Sequence, residues 1–304
     1  MIDEQLQDRA IGCLVGLATG DALGTTLEFS ARDALPPLTD MVGGGPFLLP
    51  AGTWTDDTSM ALALADTLIF RGEMDPRDLM SRFVNWWRWG EYSATGECFD
   101  IGITTRTALA LFEDGGDAIA GSTDPHSAGN GSLMRLAPVA IWGVQAGEEA
   151  MREAARLQSS TTHGALQCLN ACEGYALILR AAIQGAPFEE AVKAAAIIGD
   201  ETIDSIFAGG WKGKSRDEIQ SSGYVAHSLE AALWCVDQTA NFHDAVLLAA
   251  NLGDDADTTA AITGQLAGAL YGASSIPADW RGKLAWHDEV VEKALALLNA
   301  DAKH

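Results

Sequence analysis

Apolar residues recur at three-to-four spacing through most of this chain. From Leu6 to Leu23 the series Leu6, Ala10, Cys13, Leu14, Leu17 and Ala18 traces one face of an amphipathic helix. Gly12, Gly16 and Gly20 lie along one side of it. Glycine costs a helix about 1 kcal/mol against alanine, so close approach of another helix is the natural reason for the stripe. Similar patterns predict helices from about Asp57 to Arg71, from Asp75-Pro76 to Trp89 with proline in the first turn, and from Arg106 to Glu113. Further helices are expected from Leu133-Met134-Arg135 onward, then over Glu148–Gln158, Ala165–Gln184, Phe188–Ile198, Ala226–Val236, Asp244–Asn251, Ala260–Tyr271 and Trp286–Asn299. No sustained alternation of Val, Ile and Thr marks a strand. The pattern predicts an all-α protein.

The 304 residues are 48% apolar, enough for a sizeable core, and no stretch reads as a linker, so one domain spanning 1–304 is expected. The formal net charge of -23 argues against a nucleic-acid groove, which needs clustered Lys and Arg. Five scattered cysteines in helical apolar patterns read as buried thiols, Cys168 and Cys172 included. The amino terminus has neither a basic region nor a continuous apolar segment, and no run approaches the ~18 apolar residues of a membrane span. A cytoplasmic protein is expected.

The chemistry concentrates at two loop-to-helix junctions. Thr55-Asp56-Asp57-Thr58 precedes one Ala-rich run and Asp254-Asp255-Ala256-Asp257-Thr258-Thr259 precedes another. Each alone reads as a helix cap, because Thr and Asp favour N-caps and first-turn acids complement the dipole. Together they supply five Asp and four Thr, far more than two caps use. Carboxylates gathered in one place repel one another. Divalent cations would remove that conflict, and an all-oxygen donor set suits Mg²⁺, Mn²⁺ or Ca²⁺.

Other junctions are less specific. Glu28 follows Gly20-Asp21-Ala22-Leu23-Gly24 and could be a surface residue or part of a site. The Pro- and Gly-rich stretch from Ser30 to Gly52 is a long loop, and such loops are often functional lids. Asp100 could cap the helix after Thr104-Thr105. Gly129-Asn130-Gly131-Ser132, placed before a helix, is either an anion site of backbone amides or a plain tight turn. His163 stands at another helix start. Trp86, Trp87 and Trp89 read as core and rim packing.

These motifs, in this order and with Thr162-His163 and Cys98-Phe99-Asp100-Ile101-Gly102, resemble the ADP-ribosylglycohydrolases, and most of all the bacterial dinitrogenase reductase-activating branch. The resemblance covers nearly the whole chain. It implies a single compact orthogonal helical domain with two Mg²⁺ or Mn²⁺ ions in a central cleft. By the same resemblance Thr55, Asp56, Asp57, Asp255, Asp257 and Thr258 would be metal ligands, and Glu28 would lie beside the metals on a mobile loop. Gly129, Asn130, Gly131, Ser132 and His163 would hold a pyrophosphate, Tyr224 would stack on adenine, and Asp100 would sit at the scissile bond with Glu28 near it. Many relatives carry Gly where this chain has Asp254, which would then stand behind the ligands.

The activity so implied is removal of ADP-ribose from a modified arginine of a protein, by a monomer, with free ADP-ribose as product. Breaking a ribosyl C1″ bond builds positive charge at that carbon, which metals and a carboxylate can manage. Serine-linked ADP-ribose or small ADP-ribose esters are the alternative substrates. A crystallin-like packing protein would have eroded ligands, and this chain keeps them all. A phosphoryl-transfer hydrolase would need cationic clamps beside the metals, for which Arg135 alone stands.

Overall fold

The computed structural model describes residues 3–195 and 199–300. Among these are fourteen α-helices, and extended backbone is limited to isolated bridges such as Gly44–Leu49 and Gly129–Tyr224. The core is one continuous apolar cluster to which nearly every helix contributes.

Its centre is the pairing of α1 (Glu4–Gly24) with α12 (Ala256–Tyr271). A Cβ on Gly12, Gly16, Gly20 or Gly24 would fall 2.3, 2.3, 2.1 or 2.3 Å from the carbonyl oxygens of Gly268, Gly264, Ala260 and Ala256. The glycine stripe is therefore a contact surface, extended by Gly24, and its register runs antiparallel. That register sets the C-terminal end of α1 beside the N-terminus of α12. Around this pair pack α2 (Asp56–Arg71), α5 (Ala137–Ala146), α7 (Leu166–Ile183), α10 (Val225–Asp237), α11 (Phe242–Ala250) and α14 (His287–Leu298). The helices α3 (Pro76–Trp89), α4 (Ile103–Gly115) and α6 (Glu148–Ser160) pack outside them.

Most helices lie where the periodicity predicts. Two short ones, α9 (Glu201–Phe207) and α13 (Ala278–Lys283), do not show as a periodic pattern, because six or seven residues span less than two full turns. The helix expected over Phe188–Ile198 runs as α8 from Phe188 to Lys193, and 196–198 lie outside the described residues. The helix expected from Leu133 begins only at Ala137; Pro138, which has no amide proton, belongs in a first turn. Leu133 to Arg135 form a turn instead, with the Leu133 and Met134 amides donating to the Asn130 carbonyl.

All five cysteines are free and all but Cys98 are buried. Trp86 is buried, whereas Trp89 is exposed. The 30–52 loop is pinned: Asn251 accepts from the Leu38 amide, and Asp40 accepts from the Trp280 indole. Its tip sets Phe47 edge-on to Phe29 and Phe99, with ring centroids 6.4 and 5.2 Å away. No helix among the described residues is long and apolar enough to cross a membrane.

Candidate active site

Neither acidic cluster caps its own helix. Thr55 precedes α2 and Asp255 precedes α12, and neither side chain accepts a bond from the first-turn amides. The α2 terminus is capped from another helix by Asp21, one turn before the end of α1. Asp21 Oδ1 accepts from the Thr55 amide and hydroxyl at 2.8 and 2.9 Å, and Oδ2 from the Thr58 amide and hydroxyl at 3.0 and 2.6 Å. Asp21 is completely buried, and burial raises its pKa to about 6 against the pull of those four bonds. Its sequence signal was its place in Gly20-Asp21-Ala22-Leu23-Gly24, which does not say that its carboxylate caps another helix.

The packing of α1 on α12 then closes the arrangement. Thr258 Oγ1 lies 3.3 Å from Asp57 Oδ1, and Thr55 Oγ1 lies 3.3 Å from Asp257 Oδ2. Carboxylate oxygens of Asp21, Asp57 and Asp257 fall within 4.8 Å of one another, as do those of Glu28, Asp100 and Asp257. In the first trio the two oxygens of Asp21 are already saturated by the threonines. By contrast, Asp57 Oδ2 and Asp257 Oδ1 are buried with no hydrogen-bond partner. A buried acceptor left unpaired is costly, and here it occurs twice on facing helix termini. The residues therefore fit hard divalent cations, with Asp21 orienting the threonine hydroxyls behind them.

Metal-free, the cluster holds its protons tightly. Desolvation first, then neighbouring carboxylates, push the pKa values of Asp56, Asp57 and Asp257 well above the ordinary carboxylate range. Burial and Asp100 raise Glu28 to about 9, and burial and Asp21 raise Asp100 to about 7. Glu28 is buried rather than on the surface. Asp100 is no cap, since Gly102 precedes α4 and no side chain caps it. Its backbone is left-handed, with φ of 58°, a conformation that for a non-glycine residue is uncommon and collects at functional sites.

Asp56, Glu28, Asp100, Asp255, Asp257 and Thr258 line one side of a cleft of about 440 Å³, and Gly129, Asn130, Gly131 and His163 line the other. Asn130 Nδ2 donates to Asp255 Oδ2 at 2.6 Å, joining the two walls. The amides of Gly131 and Ser132 have no acceptor among the described residues; Gly131 lines the cleft, whereas Ser132 is fully buried behind it. The Ser132 hydroxyl points into the core, where it accepts from Ser159 at 2.8 Å. Tyr224 lies in a neighbouring pocket of about 670 Å³ that shares Thr104, Gly129 and Gly223 with the cleft. Its hydroxyl donates to Gln167 and its ring meets His227 edge-on.

Asp254 contributes through its backbone, not its carboxylate, which is exposed. Its φ is 54°, the left-handed region glycine favours and Asp tolerates. Its carbonyl accepts from the Phe29 amide at 2.8 Å and its amide donates to the Ser30 carbonyl at 2.7 Å, tying the Glu28 segment to the start of α12.

Comparison with known proteins shows the family and the fold. Residues 3–304 match the ADP-ribosylglycohydrolase family. The chain is 51% identical to the ADP-ribosylarginine hydrolase Tri1 of Pseudomonas putida, over 97% of this chain and 79% of that protein. It is 32% identical to the ADP-ribosyl-[dinitrogen reductase] glycohydrolase of Rhodospirillum rubrum, over 93% and 92% of the two chains. A solved ADP-ribosylglycohydrolase-related protein complex superposes with a TM-score of 0.86 at 39% identity, covering 98% of this chain and all of the other.

Proposed function

The chain belongs to the ADP-ribosylglycohydrolase family, and from that premise we propose that it hydrolyses the N-glycosidic bond joining ADP-ribose to a modified arginine side chain of a protein. The observation that carries the reading is the meeting of two oxygen-rich helix termini, with two buried carboxylate oxygens unpaired, across a cleft also lined by the glycine turn and His163. The arginine linkage is supported by the 51% identity to a relative named for that substrate.

Thr55, Asp56, Asp57, Asp255, Asp257 and Thr258 would hold two divalent cations, Mg²⁺ or Mn²⁺. Such ions, when bound, polarise the distal ribose hydroxyls and orient a water. The Gly131 amide and His163 bind the pyrophosphate oxygens, and Tyr224 borders the pocket for the adenosine end. Cleavage breaks the C1″–N bond and leaves its electron pair on the guanidine nitrogen, which takes a proton. The water oxygen bonds to C1″ and gives up a proton. Asp100 and Glu28, side by side in the cleft, are the carboxylates placed to move these protons and to face the positive charge that builds at C1″.

The test is incubation with arginine-, serine- and glutamate-linked ADP-ribosyl peptides in Mg²⁺ or Mn²⁺, followed by assay of free ADP-ribose. Release from the arginine peptide alone is expected. Release only from the serine or ester linkage would overturn the arginine reading, and no release from any would overturn the hydrolase.

A further inference from the structure

We propose that Arg135 is a positioning residue that acts through Thr162 to lock His163 as a neutral imidazole with its proton on Nε2, a standing donor for an anionic oxygen in the cleft. The ligand end of this inference rests on the function proposed above; the tautomer does not.

Arg135 is fully buried, and none of its hydrogen bonds among the described residues goes to a carboxylate. Its guanidinium is instead spent on neutral oxygens: Nε donates to Gln158 Oε1 at 2.8 Å, and Nη2 to the Gln158 carbonyl at 2.8 Å and to Thr162 Oγ1 at 2.9 Å. Its face lies over the Phe83 ring, 4.7 Å from the centroid. A guanidinium has only donors, so Thr162 Oγ1 must accept from it. The same Thr162 oxygen lies 2.8 Å from His163 Nδ1.

One hydroxyl proton remains to be placed. If Nδ1 carried a hydrogen, Thr162 Oγ1 would receive two donors and its own buried proton would have no acceptor, which is costly. With Nδ1 as acceptor, the Thr162 proton is satisfied and the ring hydrogen goes to Nε2. A doubly protonated ring is excluded by the same surroundings: burial first, then the Arg135 charge, lower the His163 pKa to about 3. The chain Arg135 to Thr162 to His163 is therefore directional.

Nε2 faces the glycine turn. A Cβ on Gly131 would come 3.0 Å from Nε2 and 2.7 Å from Cε1, and one on Gly129 would come 3.4 Å from Nε2. These glycines keep the ring edge clear, next to the acceptorless amide of Gly131. A phosphate oxygen can only accept at neutral pH, so the opposite tautomer would aim a lone pair at it.

The test uses the full chain labelled with ¹⁵N-histidine, His163 being identified among the six histidines by comparison with His163→Gln. Long-range ¹H–¹⁵N spectra should show the Nε2–H form in the wild type. In Thr162→Val, which keeps the volume but removes the hydroxyl, the tautomer should mix or invert. Its Kd for ADP-ribose and its KM for ADP-ribosylarginine should rise about tenfold, the scale of one hydrogen bond to a charged group, with kcat nearly unchanged. Thr162→Ser should restore all three readings. Nδ1–H or a charged ring in the wild type overturns the proposal, and so does a Thr162→Val protein indistinguishable from it. A wild type that shows Nε2–H but binds no ADP-ribose overturns the ligand and the function above together, leaving the tautomer assignment supported.

Discussion

Thr58 donates twice to Asp21, through its amide at 3.0 Å and its hydroxyl at 2.6 Å, both to Oδ2. Thr55 does the same to Oδ1. One buried carboxylate on α1 thus caps α2 and takes up both threonine hydroxyl protons, which leaves threonine lone pairs for whatever lies between Asp57 and Asp257. Cap and site are the same contact.

Replacing Asp21 by Asn puts an NH₂ where two donors need an acceptor. Metal affinity should fall by about 10- to 100-fold, the usual effect of losing a group that orients ligands. Thermal stability should fall as well, by about 1–3 kcal/mol for buried donors left unpaired. Calorimetric metal titration checks the first and chelator-treated melts the second. Unchanged affinity would mean the threonines need no orienting.

Asp257→Asn should abolish hydrolysis and leave the fold intact, since it removes a charge and almost no volume. A cation that binds only the folded state stabilises it by about 2.7 kcal/mol at a hundredfold excess over Kd. For a chain of this size that is a Tm rise on the order of 5 to 10 °C, at roughly 2 to 4 °C per kcal/mol. The rise should shrink toward zero in the variant. Equal Tm values for wild type with Mn²⁺ and with chelator would sink the metal reading.

The metal-free protein should become more stable as pH falls from 8 to 6. Glu28 is raised to about 9, Asp100 to about 7 and Asp21 to about 6, whereas in the unfolded chain all three stay ionised down to about pH 4. The folded state then binds more protons in this window, so stability is present at low pH and lost as pH rises. Metal should reverse the slope, because ligation displaces protons. Melts at pH 6, 7 and 8 with and without Mn²⁺ read both signs; parallel slopes would be the wrong outcome.

Gly20→Ala should be among the most disruptive single-methyl changes in the protein. The added carbon would meet the Ala260 carbonyl at 2.1 Å, backbone against backbone, so α1 must move off α12. Overpacking typically costs about 1–3 kcal/mol, and here the displacement also separates Asp21 from the site. Loss of metal affinity together with stability is expected, read by the same titrations. An Ala variant with wild-type Tm would mean the helices are not in close contact.

Asp100→Ala should lower kcat by about 10²-fold, the scale of a lost acid–base group, with ADP-ribose affinity largely kept. A change confined to Kd would make Asp100 a binding residue.

Much of this was written in the chain itself. Helix positions follow from the spacing of apolar residues, since a helix repeats every 3.6 residues whatever it packs against. The glycines at 12, 16 and 20 announced a close contact, because nothing else offsets their cost in a helix. The pairing of Thr55–Thr58 with Asp254–Thr259 pointed to a shared site, because so many oxygen donors exceed what two caps use. What the chain could not announce is who faces whom. Asp21 stood in the sequence only as part of Gly20-Asp21-Ala22-Leu23-Gly24, and the packing of α1 against the start of α2 sets it under two threonines 34 and 37 positions away. Asp100 could have been a cap until the backbone turned left-handed and α4 began at Ile103. The Ser132 hydroxyl, read as part of the anion site, turns inward to Ser159, and Arg135 reaches His163 through a threonine. Periodicity is local and survives in the order of residues. The direction of a buried side chain is settled by contacts between segments far apart in the chain, and no spacing encodes it.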